Sequence, residues 1–313
     1  MRFLARLLLL AALPGVALAQ GWKPTKDVEF VIPFAVGGGA DLMARVIHKI
    51  IVDEKLVPVP VALVNKPGGG GAAGIGYVSA SRKGDPHTLI LINGTTQITP
   101  ILNPNAKTLT EVKPVMNLML DDFVFFVRAD APWRTLTEFV KDAKSKPAKS
   151  MAFSAGGTTD VMAVAVLSKS TGTELNTINF NSGGEALTAL LGGHVHATLG
   201  NPLEFMGHLQ KGSVRAIGVF RDTRFNLLPN VPTMKEQGIS APNFQMWRGV
   251  AVPKGAPADA AKYWEGVMAK VVASPQFKAY LKDNAAAEAT IAGAEFEKFL
   301  ANQERLYRDL LGK

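Results

Sequence analysis

The sequence predicts a two-lobed α/β protein with a helical C-terminal tail. Three observations carry that prediction. Strand-like apolar runs alternate with helix-periodic segments from Val28 onward, the alternation restarts after residue 121, and from Pro257 the pattern turns almost wholly helical. Strand, helix, strand with short loops requires crossover connections, so each lobe is expected to hold a mixed, mostly parallel sheet.

In order, Val28 to Phe34 reads as a strand. Asp41 to Val52 reads as a helix, with Leu42, Val46, Ile50 and Met43, Ile47, Ile51 on one broad apolar face. Val59 to Val64 is a second strand, Ala72 to Ser81 a helix of small residues, and Thr88 to Ile92 a buried strand. The second block alternates strands Phe123 to Val127, Met151 to Ser154 and Thr177 to Phe180 with helices Leu136 to Ala143, Thr158 to Ser170 and Glu185 to Leu191. Strands Val195 to Leu199 and Val214 to Phe220 complete it, and helices Ala258 to Ala273, Pro275 to Asn284 and Gly293 to Leu311 form the tail. The chain is expected to cross out of the first lobe near Asp121 to Val127 and return near Phe244 to Val252. Residues 20–121 plus 250–313 then make lobe I and 122–249 make lobe II.

The first 19 residues stand apart. Arg2 and Arg6 form a basic start, Leu7 to Leu18 an apolar run too short to span a bilayer, and Ala17-Leu18-Ala19 a small-residue cleavage site, so a secretory signal cut before Gln20 is expected. The chain from Gln20 onward is long enough for two domains at roughly 150 residues each. With 47% hydrophobic and 19% charged residues, the sequence has an ordinary globular composition. The absence of cysteine excludes disulfides, thiolate metal sites and thiol catalysis. The formal charge of +8 favours anionic ligands, yet the basic residues are scattered with no run interleaved with aromatics, which argues against nucleic acid.

Glycine turns recur where strands meet helices: Gly37-Gly38-Gly39-Ala40-Asp41, Asn65-Lys66-Pro67-Gly68 through Gly71, Ala155-Gly156-Gly157-Thr158-Thr159 and Asn181-Ser182-Gly183-Gly184. The first turn of a helix carries unpaired N–H donors and a partial positive charge, and glycine lets a ligand approach them. Glycine also serves turns for conformational reasons alone, but in an open parallel sheet all such turns gather at the carboxyl edge, where ligands bind. Gly69 to Gly74 satisfies G-x-G-x-x-G without an acidic partner about 20 residues on, so no nucleotide cofactor is expected.

Catalytic and metal signals are thin. His194 and His196 alternate on one strand face without a further ligand at suitable spacing, so no metal is expected. Asp121 and Asp122 are expected in a solvated loop, and neither a G-x-S-x-G elbow nor an H-E-x-x-H helix occurs. Arg248, beside Trp247 at the return crossover, either faces the cleft and grips a carboxylate or lies exposed beside a packing tryptophan. Asp41, in a first helical turn, can serve the helix dipole rather than a ligand.

These residues resemble the Bug-type periplasmic substrate-binding proteins of tripartite tricarboxylate transporters, over essentially the whole chain after the leader. Pro33-Phe34, Gly37-Gly38, Asp41 and Arg45 match P-F-x-x-G-G-x-x-D-x-x-x-R, Asn65-Lys66-Pro67-Gly68 with Gly71 is similar to N-[RK]-P-G-x-x-G, and Pro229 to Thr233 with Glu236 and Gly238 looks like P-x-x-P-T-x-x-E-x-G. The resemblance implies a Venus-flytrap fold, a non-enzymatic monomer, and a small di- or tricarboxylate or other organic acid held between the lobes for delivery to large and small membrane subunits. It implies that Gly37 to Asp41 and Ala155 to Thr159 take one carboxylate through backbone N–H groups, and that Phe34, Asn93, Thr95, Phe180, Asn201, Trp247 and Arg248 line the cleft. Departures concern the distal end. Ala155 replaces a glycine, Val161 a histidine, Phe180-Asn181-Ser182 a Y-K-G, and His196 an aspartate, while Ala40 lacks a hydroxyl common in relatives. A sensor feeding a membrane receptor, or a secreted hydrolase or lyase using the histidines, are the alternative readings.

Overall fold

The computed structural model describes residues 21–313 except 222, 225–227, 242–243 and 285, and the side chain of residue 203 is also left aside. The expected leader, residues 1–19, lies outside the described residues. In chain order the first lobe begins β1 (Val28–Ile32), α1 (Gly39–Asp53), β2 (Val61–Asn65), α2 (Ala72–Ser81), β3 (Thr88–Asn93), α3 (Gly94–Leu102) and β4 (Val112–Asp122). The second holds β5 (Val124–Arg128), α4 (Leu136–Lys144), β6 (Ala152–Ala155), α5 (Thr158–Thr171), β7 (Asn176–Asn179), α6 (Gly183–Leu191), β8 (Ala197–Gly200), α7 (Pro202–Gln210) and β9 (Val214–Val219). The chain returns through β10 (Gln245–Pro253) and ends with α8 (Ala258–Ala273), α9 (Pro275–Asp283), β11 (Ala287–Ala292) and α10 (Gly293–Leu311).

Two sheets result. The first runs β11-β4-β10-β3-β1-β2 and the second β7-β6-β8-β5-β9. Both are mixed. In the first only β10 and β11 oppose the rest, and in the second only β5 does, so most strands in each share one direction. All of β10 from Gln245 pairs within the first sheet, against Asp122 and onward. Residues 245–249 therefore belong with the first sheet, and the boundary expected at 250 moves back to the start of β10.

Strand alternation sets the layers. Phe30, Leu89 and Leu91 face a core shared with α1 and α8, whereas Val31, Ile90 and Ile92 face the opposite side. That second core is continuous with Phe125 and Phe153 of the other sheet through Phe123, Phe244 and Met246. Phe123, the single residue between β4 and β5, stacks on Phe244 at 5.7 Å, so the outgoing and returning segments pack together where the lobes join. Among the described residues no helix is long and apolar enough to cross a membrane.

Five elements, β4, β10, β11, α3 and α7, are present where the sequence pattern predicts none. The sequence of β4 contains Pro114, which normally argues against a central strand; here it sits at a register irregularity of the β4–β10 ladder, where a missing N–H is tolerated. Strand β11 interrupts the all-helical tail as an edge partner of β4. Helices α3 and α7 are short and lie directly after strands, so their apolar residues merge with the preceding run.

Candidate ligand cleft between the lobes

Five helix starts converge where the two sheets face each other. Gly38, Gly39 and Ala40 open α1, Asn93 and Thr95 open α3, Gly156 and Asp160 lie at α5, Ser182 and Gly183 at α6, and Asn201 and Glu204 at α7. With Phe34, Met246 and Arg248 they line a narrow cavity of about 30 Å³. Each helix follows a strand of the common direction, which puts every N-terminus on the same edge of its sheet.

The motif residues explain the first turn. Gly37 has φ +84, a conformation costly for other residues, and its N–H donates to Asp41 Oδ2 at 3.0 Å. Arg45 binds both Asp41 oxygens, and the Asn65 amide reaches Asp41 Oδ1 at 2.9 Å and the Phe34 carbonyl at 3.0 Å. Burial would raise the Asp41 carboxyl, but Arg45, the Gly37 N–H and Asn65 together hold it below the usual range. Asp41 thus ties the turn, as the helix-start reading of it allows, and is not among the residues lining this space. A Cβ on Gly38 would meet the Ser182 Cβ at 2.9 Å, so the glycine is needed for the lobes to approach.

The lobes touch through polar pairs. Thr95 Oγ1 lies 2.7 Å from Thr159 Oγ1, Thr99 Oγ1 2.9 Å from Thr158 Oγ1, and the Gly39 N–H donates across the cleft to Glu204 Oε1. Phe34 also borders a second, larger space of about 260 Å³, lined by Gly68 to Gly71, Thr99, Gly157, Thr158 and Phe180. Gly157, Thr158 and Phe180 therefore sit in this neighbouring space, not with Asn93, Thr95, Gly156 and Asn201. Ala155, fully buried at the end of β6, lines neither.

Arg248 and Trp247 part company. Successive residues of a strand point to opposite faces, so Met246 and Arg248 reach the cleft while Trp247 turns into the core, edge-on to Phe296 at 6.0 Å and Phe299 at 6.3 Å. Trp247 is corrected from lining residue to core anchor. Arg248 is buried, not exposed. Its Nη2 donates to Asp121 Oδ2 at 3.0 Å and Asn201 Oδ1 at 2.8 Å, and the Asn201 amide donates to the Asp122 carbonyl.

Asp121 and Asp122, expected in a solvated loop, are both buried at the end of β4. Asp121 faces Arg248, while Asp122 accepts from Gln245 at 2.8 Å and pairs with Arg221 at 3.3 Å. Burial pushes the Asp121 carboxyl up to about 7 against the pull of Arg248. Burial, then repulsion from Glu204, pushes Asp160 up to about 8 although the Gly156 N–H donates to its Oδ2 at 2.7 Å. Burial likewise raises Glu204 against Arg248 and the Gly39 N–H.

Asp160, Glu204 and Met246 are cleft residues that sequence reasoning does not place, while Ser182 and Gly183 belong to a glycine turn it singles out. A signal for Glu204 is present: Asn201-Pro202 followed by an acid two residues on is a helix start, with an N-cap, a proline at the first position and a carboxylate in the first turn. His194 and His196 lie between α6 and β8, outside both spaces, and His196 Nδ1 accepts from the Ala152 N–H. Among the described residues no cluster of three or more His, Asp or Glu could hold a metal ion.

Residues 43–312 match the family described as "Tripartite tricarboxylate transporter family receptor". The chain belongs to that family. Its curated relatives include protein BugT of Bordetella pertussis, 28% identical over 261 residues covering 81% of this chain and 79% of BugT. Among solved structures, one described as a periplasmic transporter superposes with a TM-score of 0.85 at 26% identity, covering 93% of this chain and 97% of its own. The fold also matches MatC (Rpa3494) from Rhodopseudomonas palustris with bound malate, at a TM-score of 0.83 and 22% identity, covering 92% of this chain and 99% of MatC. Family and fold are those of substrate-binding proteins, as the motif resemblance implied.

Proposed function

We propose that the chain captures a small organic carboxylate between its lobes in the periplasm and delivers it to the membrane subunits of a tripartite transporter. The observation that carries this reading is the convergence of five helix starts on one interlobe space. Helix N-termini concentrate N–H donors and positive potential, and Gly38, Gly39, Gly156 and Gly183 put no side chain between that backbone and the space. Family membership supports the transporter partnership, and malate in a protein of the same fold supports the ligand class. Charge-assisted hydrogen bonds of roughly 1.5–3 kcal/mol each, formed in a closed and water-poor cleft, would supply the affinity.

The cavity offers binding groups rather than a reactive constellation. Among the described residues no histidine lines it, and the threonine hydroxyls near it are engaged with one another across the lobes. The reading is tested by thermal shift and calorimetry against organic acids, and by capture of transporter subunits on the immobilised protein. Binding of at least one acid with a rise in melting temperature is expected. Silence across mono-, di- and tricarboxylates alike would sink it. Because Trp247 lies in the core, its fluorescence is expected to report lobe movement rather than direct contact.

A further inference from the structure

The basic residues are scattered along the sequence, yet the fold gathers several of them. In the second sheet only β5 opposes the other strands, so β6, β7, β8 and β9 all start on one edge, opposite the edge that faces the cleft. Helices α4 and α5 run back to that far edge, since each ends shortly before β6 or β7 begins. Lys141 and Lys144 lie in the last turn of α4 and Lys169 in the last turn of α5. Lys149 precedes β6, and its N–H donates to the Glu174 carbonyl ahead of β7 at 2.9 Å. All four lysines are exposed, and none forms an ion pair among the described residues.

The acids of this group are outnumbered. Asp142 is already held by Lys146 at 2.8 Å, which leaves Glu174 against the four lysines. Asp160, Glu185 and Glu204 lie in first helical turns and so toward the cleft edge, which polarises lobe II along its strands. A helix C-terminus favours a cation, but Lys146 and Lys149 follow the end of α4 and fall outside that account. The same far edge carries an apolar recess of about 380 Å³ where β9 starts, lined by Leu209, Val214, Leu228, Pro229 and Val231 among others. It lies three strands from β6, roughly 14 Å at the ordinary strand spacing.

We propose that this far edge of lobe II is a docking surface for anionic phospholipid, which holds the protein against a membrane through lysines on headgroup phosphates and apolar lipid atoms in the recess. Lysine suits such a partner: its ammonium is a point charge on a flexible stem, fitted to a fluid layer of phosphates, and lacks the planar fork that reads one fixed anion. Charge beside an apolar recess is the pairing that a lipid surface answers at once, headgroup and acyl boundary together. Nucleic acid fits less well, because no aromatic side chain is exposed on this edge among the described residues to stack on a base.

Co-sedimentation of the purified protein with vesicles tests this without any organic acid present, so its outcome is independent of the carboxylate reading. At low ionic strength, vesicles containing phosphatidylglycerol are expected to bind the protein about tenfold or more tightly than phosphatidylcholine alone, and added salt should erase most of the difference. Replacing Lys141, Lys144, Lys149 and Lys169 together by glutamine is expected to weaken binding about tenfold or more. The same change at the exposed Lys262, Lys270, Lys278 and Lys282 of α8 and α9, which alters net charge equally, should leave it within about twofold. Val231→Asp, which sets an acid at the recess, should weaken binding about threefold or more. Circular dichroism checks that each variant is folded. Equal binding to both kinds of vesicle overturns the proposal, as does an equal loss in the two lysine sets, which would make net charge the cause. Full binding by either edge variant overturns it too, and so does capture of polyglutamate or DNA with none of the vesicles.

Discussion

Asp160 is the residue whose environment departs furthest from its sequence context. In the chain it reads as an ordinary acid in the first turn of α5, favourable to the helix dipole and unremarkable. In the folded protein it is buried beside Glu204, and its carboxyl is pushed up to about 8 from an ordinary value near 3.9. Between those values the native state retains a proton that the unfolded chain has released, so stability should fall as pH rises from about 4 to about 8 and then level off. Asp121, pushed up to about 7, adds a slope of the same sign over a narrower range. Urea unfolding at successive pH values should show Asp160→Asn with a shallower decline than the wild type. Parallel curves would mean that Asp160 is ionised throughout.

Trp247 shows the converse, a residue whose sequence context suggests a site and whose environment is core. It adjoins Arg248 in the chain, yet a strand separates adjacent side chains by its pleat, and only one of the two can face the cleft. Trp247→Phe should accordingly cost stability, on the order of 1–3 kcal/mol for lost packing, while leaving ligand affinity within about twofold. A large affinity loss with unchanged stability would return Trp247 to the site.

At the scale of elements, the helix starts are the most legible feature. Three of the five, at Gly37 to Asp41, Ala155 to Thr159 and Ser182 to Gly184, are visible because paired glycines are followed by an acid in the first helical turn, Asp41, Asp160 and Glu185. The starts of α3 and α7 escape notice although Asn93 makes a capping box with Thr96 and Asn201 precedes a proline, because no glycine run announces them. Strand β4 is hidden by Pro114, whose tolerance depends on a bulge formed with β10, a partner more than a hundred residues away. The same level of structure makes Gly38 a sensitive test. Gly38→Ala would place a Cβ 2.9 Å from the Ser182 Cβ, so the α1 and α6 starts must separate. Weakened binding of about tenfold or more, with a melting temperature within a few degrees of the wild type, is expected by calorimetry and thermal scanning. Unchanged affinity would place the ligand elsewhere.

For the whole molecule, the decisive feature is that one apolar core passes from sheet to sheet. Val31 and Ile90 of the first and Phe125 and Phe153 of the second belong to the same cluster, with Phe123 and Phe244 stacked at the junction. Two lobes that share a core should unfold together, so differential scanning calorimetry is expected to show one transition with matching calorimetric and van't Hoff enthalpies. Two resolved transitions would show that the lobes are energetically separate.

The sequence by itself determined what depends on near neighbours: alternation of strands and helices, helix caps, glycine turns, and the motif set that places the chain in its family. Asp41 could be read as a first-turn acid and Arg45 and Asn65 as motif residues, and their mutual bonds close within one strand-helix-strand unit. Only the tertiary structure decided the charge of the cleft. Glu204 meets the Gly39 N–H across 165 positions of chain, and Arg248 meets Asp121 across 127. No local pattern records such meetings, because which acid faces which donor is set by how two sheets are brought edge to edge, and the cost of burying those charges appears only once they are there.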